Sequence, residues 1–171
     1  MRTQQEFLQA YQRDHQNPTN QLIHMICVPV IVFSTLGLLW CVPIGQWLGL
    51  GAAIAEFVNA ATVGGLFAGL FYLKLSLRSA LVMTGWFALS VIGILALGGA
   101  GRWLAGVSAA LWGAAWAVQF SGHEVGTANA VLGGDLVVLL LGPPSVVDYA
   151  YRRLGLHISL QFPPERDSTP T

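Results

Sequence analysis

Three histidines, His15, His24 and His123, are the side chains in this sequence best suited to chemistry. The first two lie nine residues apart in the stretch 11–29, with Asn17 and Asn20 between them. His123 ends a run carrying Trp112, Trp116 and Gln119, whose spacings of four, three and four stack them on one side of an α-helix. Glu124 follows directly. Imidazole suits iron, zinc or copper, and two histidines plus a carboxylate with open positions is the pattern of iron(II) oxygenases. Singly, each histidine has an ordinary explanation: a surface residue at His15, a helix end at His24, an interfacial residue at His123. Together, in a chain so poor in polar groups, they point to a metal site, because polar groups in an apolar setting are costly and usually functional. His157, just past Arg152 and Arg153, reads as a surface residue.

The elements that must position these residues are apolar. Of 171 residues, 54% are hydrophobic and 9% charged, against about 25% charged in ordinary soluble domains. Between Asn20 and Tyr72 the only charged residue is Glu56, and 79–101 and 103–122 carry none. Apolar runs of about 18 residues or more read as membrane-spanning helices. The expected fold is therefore an all-α integral membrane protein. About four transmembrane helices fall at 21–41, 46–73, 79–98 and 103–121. A short re-entrant or broken fifth helix falls at 131–141, interrupted by Pro143 and Pro144, and a complete fifth span is its alternative. Thr3 and Glu6 have capping-box spacing, which predicts an interfacial helix over 3–14. The chain divides into one helical domain, 1–160, and a disordered tail, 161–171.

Local signals refine this frame. Asn17-Pro18 breaks the chain, and Asn20 is a good N-cap for the first span. Pro43 with Gly45, and the glycines at 98–101, predict turns. Glu56 falls inside the second run and reads as a structural residue. Cys27 and Cys41 sit about 21 Å apart on one helix, too far to bridge, so they read as buried thiols. The pairs Gly45/Gly49 and Gly65/Gly69 have close-packing spacing; packing within the chain is the first reading, a homo-oligomer the second. Zero net charge shows no nucleic-acid footprint.

Basic residues set the orientation. With four spans, Arg2, Arg13, Lys74, Arg78, Arg152, Arg153 and Arg166 collect on one side and Arg102 on the other. The positive-inside rule puts both termini in the cytoplasm. The same count returns the end of the fourth span to the side where the first begins, so His123 can meet His15 and His24.

The pattern Tyr11-x-x-x-His15-x-Asn17-x-x-Asn20-x-x-x-His24-x-x-x-x-Pro29 resembles the opening signature of the Mpo family of small membrane proteins. Trp116-Ala-Val-Gln119-Phe120-Ser-Gly122-His123 is similar to its second signature, and Pro143 fits a looser third element. The resemblance covers roughly residues 7–150. It implies an iron(II)-dependent dioxygenase that shortens lipid-like 2-hydroxy fatty acids by one carbon, with molecular oxygen as co-substrate. It places such a protein in the endoplasmic reticulum of a eukaryote or the inner membrane of a bacterium. The implied metal ligands are His15, His24 and His123. Asn20, Gln119 and Glu124 are the expected catalytic helpers, and Tyr11, Arg13, Trp112 and Trp116 the expected substrate contacts.

The sequence also departs from the family pattern. The family's glutamate four residues after the second-motif histidine, and the arginine and proline that follow, are here Thr127, Asn129 and Val131. Glu124 is the nearest carboxylate to the lost glutamate, and Arg13 or Arg152 the replacement for the lost arginine. Two other functions fit the same residues. One is a different metal-dependent lipid-modifying enzyme, such as a hydrolase using metal-bound water. The other is a non-enzymatic haem- or metal-binding membrane protein with His24 and His123 as axial ligands.

Overall fold

The computed structural model describes residues 18–121, 140, 142–144, 146–147 and 150–151, with backbone alone at 18–21 and 120–121. The expected helix over 3–14 and the tail after 161 lie outside the described residues. Among these, the chain is all helical, with no strand.

Helix α1 spans Pro18–Trp40. Proline at the first helical position costs nothing, since that N–H has no intrahelical partner. The helix starts ahead of the expected Asn20 cap, which makes Asn20 part of its first turn. Pro29 lies inside α1. It has no N–H to give, so the carbonyl of Met25, one residue past His24, loses its intrahelical donor.

The expected single span over 46–73 is broken. Two one-turn helices, α2 (Ile44–Trp47) and α3 (Ala52–Ala55), are separated by Gly49 at φ 67°. Helix α4 begins only at Ala60 and runs to Leu75. Asn59 sets that start: its backbone is extended, and its side chain accepts from the amides of Ala61 and Thr62. Thr62 Oγ1 in turn accepts from Asn59 N–H at 3.1 Å. This reciprocal capping fixes a helix terminus in the middle of an apolar run, where hydropathy alone shows no boundary. Glu56 accordingly sits exposed in this connection, not inside a span.

Helix α5 spans Leu77–Ala96 and is capped by Ser76, which accepts from Ser79 N–H. Helix α6 spans Arg102–Ser121. Gly98 and Gly99, at φ 95° and 68°, make the turn between them as expected.

Helix α1 is the central element. It packs most extensively on α6, while α4 pairs with α5 and both also touch α1. Small residues allow the close approaches. A Cβ at Gly37 would run into the Ser108 side chain. Phe33 of α1 lies over Gly93, and Phe87 of α5 over Gly65. Gly69, the other half of the expected pair, faces nothing within contact distance, and Gly49 serves a turn.

The long helices alternate in direction, which gives the bundle two ends. At one, Trp40, Ala61, Ile94 and Leu104 form a buried cluster beside the 41–59 and 97–101 connections. At the other lie the start of α1, the end of α6 and the α4–α5 junction. There Tyr72 Oη donates to the carbonyl of Leu140 at 2.9 Å, and Leu140 and Val147 pack on Tyr72, Ala80 and Met83. The backbone at 142–144 is helical, while the expected re-entrant or broken helix at 131–141 lies, except for Leu140, outside the described residues.

Two stretches, Leu22–Trp47 and Leu77–Ala96, are long and apolar enough to cross a membrane. At 16 residues, α4 is about 24 Å long, short of the roughly 30 Å hydrocarbon core. Among the described residues these two stretches meet the requirement, and the four-span count is not confirmed. Large apolar side chains cover the outside of the bundle, among them Leu66, Phe67, Leu81, Leu89 and Ile92.

Candidate metal centre

His24 stands in the seventh position of α1, about 9 Å along the axis from Pro18. Gln119 stands in the last turn of α6. The antiparallel packing of these helices brings the two side chains together, with the Gln119 amide 3.1 Å from His24 Nδ1. Both residues are buried, at 7% and 8% exposure. The bond joins positions 95 residues apart.

The floor below the pair is apolar. Cys27, Ile31 and Ala115 form a buried cluster, with Ile23, Val30 and Trp116 packed on it. Cys27 and Ile31 lie one and two turns from His24 on α1, and Ala115 one turn from Gln119 on α6, so one contact face builds both floor and site. Trp112 and Trp116 are in contact, ring centroids 5.9 Å apart, yet they serve different surroundings: Trp116 packs inward and Trp112 is 41% exposed. On another face of α1, one turn from His24, Val28, Pro29 and Val32 form an apolar groove with Met83 and Trp86, closed by Pro143, Val146 and Val147.

Gln119 Oε1 is buried and has no hydrogen-bond partner among the described residues. A buried carbonyl oxygen left without a proton or cation costs about 1–3 kcal/mol. A buried imidazole offers the nitrogen donor that iron, zinc or copper accept, and an amide oxygen beside it can take the ring's other N–H. This half of the site therefore fits a divalent metal. Among the described residues no three of His, Cys, Asp and Glu gather. His15, His123, Glu124, Tyr11 and Arg13 lie outside them, as does the Asn20 side chain. His15 precedes Pro18 by three residues, and His123 follows Ser121 by two. The helix ends that lead to them are at the same end of the bundle.

The sequence comparison identifies the family to which these motifs belong. The family model described as "2-hydroxy-palmitic acid dioxygenase Mpo1-like" matches residues 1–154. The chain belongs to the Mpo1-like family. No curated protein and no solved structure matches it. The match spans both histidine motifs and also Leu140, Pro143, Val146 and Val147, which pack beside α1 and α5.

Sequence reasoning singled out His24 and Gln119 separately but not as partners. It also missed the Cys27–Ile31–Ala115 floor, the released Met25 carbonyl, and the groove along Val28 and Val32. A signal existed for the first: Gln119 and His24 are each polar within an apolar face of a helix, and antiparallel helices can satisfy such groups only against one another. Glu56 is excluded from the site, because it lies in the 41–59 connection at the opposite end, beside Gly99.

Proposed function

We propose that the chain is a membrane dioxygenase that removes one carbon from 2-hydroxy fatty acids, using iron(II) held by His15, His24 and His123. The observation that carries this reading is the buried His24–Gln119 pair at the bundle end to which both histidine motifs lead, in a chain whose residues 1–154 match the family. Bound iron(II) supplies the redox chemistry that lets molecular oxygen react with a closed-shell organic acid. The chain's own residues do the rest. His24 is held rigidly by its bond to Gln119. Cys27, Ile31, Ala115 and Trp116 keep water from the buried side of the imidazole. We assign Arg13 to the substrate carboxylate, Glu124 and Asn20 to the polar surroundings of the metal, and Tyr11, Trp112 and Trp116 to the acyl chain. Cleavage between the first and second carbons would release the carboxyl carbon as carbon dioxide, with one atom of the oxygen molecule entering the shortened fatty acid and the other leaving as water.

A membrane setting supports the same reading, since the substrate partitions into lipid. It rests on the two apolar stretches Leu22–Trp47 and Leu77–Ala96 and on the exposed apolar side chains around the bundle. Lys74 and Arg78 lie at the His24 end and Arg102 at the other, which fits cytoplasmic termini.

The test is oxygen-dependent conversion of 2-hydroxypalmitate by protein purified anaerobically and loaded with iron(II). The expected product is the acid shortened by one carbon, lost on chelation. Turnover without oxygen would favour a metal-dependent hydrolase, and a haem absorbance band would favour the non-enzymatic alternative.

A further inference from the structure

The Gln119 amide can meet His24 Nδ1 in two ways, and they have opposite consequences for the imidazole. A neutral imidazole carries one N–H and one lone pair, and the bond made by one nitrogen decides what the other offers. With the amide nitrogen toward Nδ1, the amide donates, Nδ1 accepts, and the ring proton must sit on Nε2. That tautomer has no lone pair left for a cation; Oε1 is then the amide atom without a partner among the described residues, as the NH2 is in the turned amide. Turning the amide by half a revolution keeps the same 3.1 Å separation and puts Oε1 against Nδ1. The ring then donates Nδ1–H to Oε1, and its lone pair lies on Nε2.

We propose that Gln119 is a positioning residue that accepts Nδ1–H of His24, so that the imidazole presents Nε2 to a divalent cation. This rests on the metal reading above and deepens it. The surroundings favour the assignment in two ways. Gln119 cannot easily swing away, since it is 8% exposed and one turn from Ala115, which is locked against Cys27 and Ile31. A neutral amide also does this without burying a charge on an apolar floor, where an ionised carboxylate would be costly. A ligating histidine typically donates its second nitrogen to an acceptor that fixes tautomer and ring direction.

The experiment uses the full chain in detergent micelles, with nitrogen-15-labelled histidine and His24→Gln as the assignment control. It compares wild type, Gln119→Glu and Gln119→Met. The first readout is the tautomer of His24 in metal-free protein. Wild type and Gln119→Glu are expected to carry the proton on Nδ1, because a carboxylate is an acceptor only, and Gln119→Met to shift it toward Nε2. The second is cobalt(II) affinity by competition titration: Gln119→Met is expected to bind about 10–100-fold more weakly, and Gln119→Glu at least as tightly as wild type. A purely structural glutamine predicts the reverse for the variants, since methionine fills the space and a buried carboxylate does not belong there. Wild-type His24 protonated on Nε2, or wild-type affinity in Gln119→Met, would overturn the proposal. Wild type that binds no divalent cation would sink the metal reading instead, while the tautomer of the metal-free protein would still decide the role of Gln119.

Discussion

The two ends of the bundle both bury polar groups, and they do so differently. At the 41–59 end, Asn59 is 1% exposed, and its side chain bonds only within its own neighbourhood: to the amides of Ala61 and Thr62, and to the Glu56 carbonyl at 2.9 Å. That network begins a helix and is complete in itself. At the other end, His24 and Gln119 bond across two helices and leave one half of the amide over. A polar group satisfied locally explains its own presence. One held by long-range packing across two helices, with half of its amide unused, is left able to serve a ligand. Trp40 Nε1 and Ser108 Oγ also lack partners among the described residues. They are single atoms in packed contacts, however, with no titratable or ligating group paired to them.

This contrast can be broken by variants at each end. The largest effect is expected at the histidines: His15→Ala and His123→Ala each abolish metal retention and turnover while the protein stays folded, whereas His157→Ala matches wild type. Metal content of the three purified variants checks this, and a metal-depleted His157→Ala would break the assignment. Next, Leu104→Ala empties part of the far cluster, where Leu104 is 1% exposed. It is expected to lose about 2–5 kcal/mol of stability in a detergent unfolding titration, with metal affinity per folded molecule unchanged. Glu124→Gln is expected to lower iron affinity or turnover at least about tenfold. Equal binding and turnover would leave the site to histidines alone or to Asp135. The smallest effect is expected at Asn59→Ala, which removes a helix cap worth about 0.5–2 kcal/mol and leaves turnover intact. A loss of metal there would mean that the ends are not independent.

How much of this the sequence carried depended on where the information was local. The starts and ends of α1, α5 and α6 fall within about three residues of the apolar runs, because lipid-length hydropathy and the 98–101 glycines mark them. The run at 46–73 misled, since Asn59 caps a helix without any break in hydropathy, and Gly49 turns the chain where spacing suggested packing. The site was legible as residue types: His24 and Gln119 stood out as polar positions in apolar surroundings. Their pairing was not, because it depends on the register of α1 against α6. That register is set by Gly37 against Ser108 and by Cys27 and Ile31 against Ala115, contacts that no local pattern encodes.

The central claim, that the His24 end is a metal centre and the far end is scaffold, is tested most directly by iron stoichiometry. Wild type and His24→Ala are purified anaerobically, loaded with iron(II), desalted and analysed for iron per folded chain. The account predicts stoichiometric iron in wild type and none in His24→Ala, with both equally folded. Iron retained in full by His24→Ala, or absent from wild type after loading, would contradict it.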